Sequence, residues 1–79
     1  MDKADQISNI TLLLIYLTSW EEKEFGVIAR RAWKGYDFGI LDRLEENGFI
    51  TNSKTAKSVC LTEEGLKAAK QIEEILSKI

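Results

Sequence analysis

Leu41 to Leu66, LDRLEENGFITNSKTAKSVCLTEEGL, is the stretch whose reading decides the fold. Leu41 and Leu44, with Phe38 and Ile40 ahead of them, recur at helical spacing. Gly48 marks the stop of that helix, because a residue without Cβ reverses the chain there without strain. Phe49 is placed to fold back on Leu44, the apolar contact that accompanies such a stop. Phe49 and Ile50 then begin a strand, Ser58 to Leu61 form its partner, and a polar tip from Asn52 to Lys57 joins them. Thr62 caps a last helix whose first turn holds Glu63 and Glu64, where the helix dipole favours anions. Leu61 and Leu66 have the spacing of a hydrophobic staple across that cap.

Upstream, the pattern predicts a first helix from about Lys3 to Ser19, capped by Asp2 or Asp5. Ile7, Ile10, Leu14 and Leu17 share one face of it. Leu13 and Tyr16 lie beside that face, and Leu12 and Ile15 carry the apolar surface further round. A helix apolar on more than one side is covered either by its own domain or by a second subunit. The small chain favours the second subunit. Ser19 and Glu22 have capping-box spacing for a second helix, with Phe25, Ile28, Ala29, Ala32 and Trp33 as its buried side. Gly35 ends it, and Asp37 caps a third helix running to about Asn47. The last helix runs from Glu63 to near Ile79, with a stripe of Leu66, Ala69, Ile72, Leu76 and Ile79 widened by Ile75.

This order resembles a winged helix. Leu41, Leu44, Gly48, Phe49 and Ile50, followed by Leu61, Thr62, Gly65 and Leu66, are similar to the pattern of MarR- and PadR-type regulators. The resemblance implies a single α+β domain over residues 1–79, ordered α1-α2-α3-β-β-α4, with three helices, a two-stranded wing and a C-terminal helix. Over a wider span, Leu13 to Gly65, the chain also resembles a family of small uncharacterised prokaryotic proteins through the segment R-A-W-K-G-[FY]-D, here Arg31 to Asp37. That second resemblance implies no activity.

Composition narrows the function classes. The 79 residues contain no proline, are 44% hydrophobic and 30% charged, and carry a net charge of −2. This is a globular balance, and it gives no bulk attraction to DNA or to an anionic membrane. The apolar run Leu12 to Leu17 is far short of the ~20 residues that span a bilayer. The polar start from Met1 to Gln6 does not read as a signal peptide, and the lone Cys60 suits a reducing cytoplasm, the expected location. No histidine is present, so the usual general base and metal ligand is missing. Cys60 alone cannot make a cysteine-rich metal site and reads as a small core-like strand residue. The glycines are scattered rather than grouped as a phosphate loop. Paired glutamates such as Glu45/Glu46 diverge around a helix and do not form an acid–base dyad. The sequence therefore predicts no enzyme, no cofactor and no metal.

Two functions remain. In the first, a regulator-like module holds the DNA backbone through Arg30, Arg31, Lys34, Lys54 and Lys57. The helix implied to enter the major groove adds Tyr36 and Arg43 as candidates. It also carries Asp37, Asp42, Glu45 and Glu46 against Arg43, four acids to one base or −3, which opposes base reading. The ordinary account of the upstream cations is compensation of a helix C-terminus, and of the tip lysines, solubility and protection of a sheet edge. In the second function, the domain associates with protein, either a partner or a second copy. Under either function a homodimer is expected, through Leu12, Ile15, Ile72, Leu76 and Ile79.

Overall fold

The structure, a computed structural model, describes residues 2–78, the Glu24 side chain apart. Helix α1 (Lys3–Leu17) is followed by strands β1 (Trp20–Glu24) and β2 (Val27–Trp33), and then by α2 (Phe38–Glu46). Strands β3 (Ile50–Thr51) and β4 (Ser58–Leu61) lead into α3 (Glu63–Ser77). All neighbouring strands are antiparallel, in the order β1-β2-β4-β3. An α-β-β-α-β-β-α chain with a four-stranded sheet replaces the expected winged helix of order α1-α2-α3-β-β-α4.

The difference lies in residues 19–34, which form a hairpin and not a helix. Trp20, Val27, Ile28 and Trp33 are aromatic or β-branched, the types that suit a pleated surface. Phe25 and Gly26 form a two-residue turn with φ of +52° and +79°, the positive pair that matches the twist of a hairpin. Glu21 then faces Arg30, and Trp20 faces Arg31. Glu21 and Glu22 are thereby ion-paired across the strands with Arg30 and Arg31 at 3.1 and 3.5 Å, a pattern a helix could not produce. Gly35 consequently ends no helix; it lies in the link from β2 to α2.

The Leu41–Leu66 stretch forms the elements its residues dictate. Asp37 caps α2 by accepting from the Ile40 N–H at 3.1 Å. At the other end Gly48 takes φ +80°, its N–H donates to the Glu45 carbonyl, and the Phe49 N–H donates to the Leu44 carbonyl. Those two bonds are the Schellman closure of a helix. Thr62 joins the two glycine sites. Its hydroxyl donates to the Gly48 carbonyl at 2.6 Å and accepts from the Gly65 N–H at 3.0 Å, while its own N–H donates to the Phe49 carbonyl at 3.0 Å. Gly65 is buried, and a Cβ there would stand 2.0 Å from the Phe49 carbonyl oxygen. The start of α3 is thus pressed onto the end of α2.

Strand alternation divides the sheet. Ala32, Val59, Leu61 and Ile50 face the helices and are buried with Leu12, Ile15, Leu41, Leu44 and Ala69. Trp20, Arg31, Trp33, Ser58, Cys60 and Thr51 share the other face, which no helix among the described residues covers. Leu12 and Ile15, read as dimer residues, are fully buried inside the single chain. The helix turns them inward with Ser8 and turns Ile7, Ile10, Leu14 and Leu17 outward. Ile79 lies outside the described residues.

Candidate functional site

The cations proposed for DNA do not converge. Arg30 is on the helix side of β2, where its Nε donates to Ser19 Oγ at 2.9 Å, its guanidinium pairs with Glu21 and it lies 5.6 Å above the centre of the Tyr16 ring. Arg31 is on the opposite face, donating to Ser58 Oγ at 2.8 Å beside Glu22. Lys34 reaches the β3–β4 connection, where its Nζ donates to the Ser53 carbonyl at 2.8 Å and to Asn52 Oδ1 at 3.2 Å. That connection also carries the exposed Lys54 and Lys57, so three of the five cations share one end of the sheet. Tyr36 packs on the core, and Arg43 is paired with Asp5 of α1. Asp42, Glu45 and Glu46 are exposed on α2, and Glu45 accepts from the Asn52 N–H.

Two uncovered apolar features stand out instead. The first is the outer stripe of α1. Ile7, Ile10, Leu14 and Leu17 are 45–61% exposed and follow one another at intervals of three, four and three residues. That is the a/d spacing of a helix seam that meets another helix. On α3, which packs against α1, Ile75 and Leu76 are also exposed, and Ile72 is half-buried.

The second is the end of the β1–β2 hairpin. Phe25 is fully exposed, and Val27 and Ile28 are exposed on opposite faces of β2, so the tip stands clear of the helical layer. Below the tip, on the way to α3, lies an open cavity of about 530 Å³ lined in part by Tyr16, Ile28, Arg30, Leu61, Leu66 and Lys70. Sequence reasoning missed this feature by placing Phe25 inside a helix. The Phe-Gly pair ahead of Val27, Ile28 and Trp33, which are β-branched or aromatic, was the available signal.

Comparison with known proteins assigns the relationship. The family model described as a domain of unknown function (DUF6429) matches residues 3–78. The chain belongs to the DUF6429 family. A similar relative is the uncharacterized protein y4hR of Sinorhizobium fredii (strain NBRC 101917 / NGR234). The two are 38% identical over 69 residues, covering 86% of this chain and 84% of the relative. No solved structure matches. Membership supports the expected small uncharacterised family and gives no support to a MarR or PadR relationship.

In this DUF6429 chain the segment Arg31–Asp37 is accounted for by structure. Arg31 ties β2 to β4, Ala32 is fully buried in the core, and the Trp33 ring is 5.1 Å from that of Trp20. Lys34 fixes the β3–β4 connection, and Asp37 caps α2. Among the described residues no group of three or more His, Cys, Asp or Glu side chains could hold a metal. No described helix is long and apolar enough to cross a membrane.

Proposed function

We propose that this protein is an association module that acts as a homodimer, pairing through the outer stripe of α1. The observation that carries this reading is the exposed series Ile7, Ile10, Leu14 and Leu17 at heptad spacing on a helix whose other side already fills the core. Water-exposed aliphatic side chains in a continuous row mark a surface meant for another surface. The DNA-backbone alternative draws less support. Arg30 and Arg31 point to opposite sides of the sheet and are ion-paired within the chain, and α2 presents exposed acids.

The test is oligomeric state. Light scattering at about 100 μM should give twice the 9.0 kDa chain mass, a concentration at which even a weak ~10 μM dimer is mostly formed. Leu14→Glu and Ile10→Glu should return it to one chain mass with an unchanged melting profile, because neither side chain is part of the core. A single-chain mass for the wild type, or dimers that survive both changes, would refute the reading.

A further inference from the structure

The turn residue Phe25 is in a conformation that suits it badly. A bulky side chain at φ +52° is strained, and Asn or Gly is the usual occupant before a second positive-φ glycine. Strain of this kind persists when another requirement holds the residue in place. Packing within the chain is not that requirement, since Phe25 is fully exposed. Water does not favour it either, since an exposed phenyl ring gains nothing from solvation. The ring is placed to enter something outside its own chain.

We infer that Phe25 of each subunit docks into the cavity below the hairpin of a second copy. This inference rests on the self-association proposed above and names a further contact of that dimer. Three observations select a second copy as the occupant. First, knob and hole are adjacent. Phe25 is two residues from Val27, which lines the cavity, so a two-fold axis beside the hairpin satisfies both contacts at once and closes the pair. Second, the position is continuous with the α1 stripe. Helix α1 ends at Leu17, Tyr16 lines the cavity, and β1 begins at Trp20. Third, the areas are complementary. Four half-exposed aliphatic side chains per subunit fall short of the ~1,200 Å² that a stable interface buries. An exposed phenyl ring adds about 150–250 Å² per subunit, and the walls it covers add a similar amount. A cavity of about 530 Å³ admits a ring with room for its flanking backbone.

The experiment measures stability and association on the same variants. Sedimentation velocity across a concentration series gives the dimer dissociation constant, and a thermal melt at low concentration gives the stability of the monomer. Phe25→Asn should raise the melting temperature, because Asn tolerates the left-handed turn, and should weaken dimerisation at least ~10-fold. Ile28→Lys, which changes the cavity wall at an exposed position, should weaken dimerisation to a similar degree. A dimer whose affinity is unchanged by both variants would overturn the hairpin docking while leaving the α1 pairing intact. A melting temperature lowered by Phe25→Asn would overturn it too, by showing that the ring packs within its own chain. A wild-type monomer at every concentration would overturn both this inference and the reading beneath it.

Discussion

Replacing Gly65 by alanine should destabilise this domain, although alanine is the better helix former. The residue is in the first turn of α3, where the exchange alone would gain up to ~1 kcal/mol. The structure opposes that gain. A Cβ at residue 65 would be 2.0 Å from the Phe49 carbonyl oxygen and 2.9 Å from its carbon, both backbone atoms. No rotamer relieves such an overlap, so either α3 or the β3 entry must move by more than an ångström. Overpacking of this sort costs about 1–3 kcal/mol, and more when backbone must shift. The movement also strains the Thr62 N–H bond to the same Phe49 carbonyl and the Thr62 hydroxyl bond to Gly48, at roughly 1 kcal/mol each. After the propensity gain, the net loss is about 2–4 kcal/mol. A chain of this length has a total stability of roughly 4–12 kcal/mol, so the fall takes a large share of it. Each kcal/mol corresponds to roughly 4–8 °C for a domain of this size, and the expected fall is therefore about 10–25 °C. Thermal unfolding followed by circular dichroism measures it. A variant that melts at or above the wild-type temperature would refute the close approach of α3 to Phe49.

The neighbouring joints give smaller effects. Gly48→Val should lower stability by at least ~1 kcal/mol, because a β-branched residue is strained at φ +80°; urea titration reads it, and an unchanged midpoint removes Gly48 from the helix stop. Thr62→Val keeps the shape but loses the cap to Gly65 and the bond to Gly48, and should cost about 1–3 kcal/mol in the same titration.

Residues 37–66 were legible because their signals are local. A cap, a glycine stop and a polar tip each act within a few residues, and each sits where its chemistry places it: Asp37, Gly48 and Thr62 all close helix ends. Residues 19–34 carried two periodicities at once. Phe25, Ile28, Ala29, Ala32 and Trp33 fit a helical repeat, whereas Ile28, Arg30 and Ala32 fit a strand with an arginine at a half-buried step. The arbiter is not local. Ala32 lies opposite Val59, 27 residues away, and β2 pairs with β4 as well as with its hairpin neighbour β1. A helical reading of residues 19–34 ignores that partner, so the strand alternative could be recognised only through the Phe-Gly turn and the charge match of Glu21 with Arg30. The arrangement expected of the upstream cations changed with that helix. Arg30 and Arg31 would adjoin on a helix and lie on opposite faces of a strand.

The α1 reversal has a different cause, and it bears on function. Two apolar stripes run along this helix, Ser8–Leu12–Ile15 inward and Ile7–Ile10–Leu14–Leu17 outward. Periodicity identifies both as contact surfaces, yet it does not say which one meets the chain's own sheet. The fold turns the Ser8–Leu12–Ile15 side inward, with Leu12 and Ile15 fully buried. The outward stripe is then left with about half of each side chain in water. Burying those halves is worth roughly 1 kcal/mol per residue, or about 8 kcal/mol for two subunits. The entropy lost on association is of the same order, an estimated 4–15 kcal/mol. A pair built on this stripe alone is therefore weak and concentration-dependent. A single additional anchor such as Phe25, strained in its own chain and relieved of its contact with water by a partner, is enough to move such a balance from mostly monomer to mostly dimer.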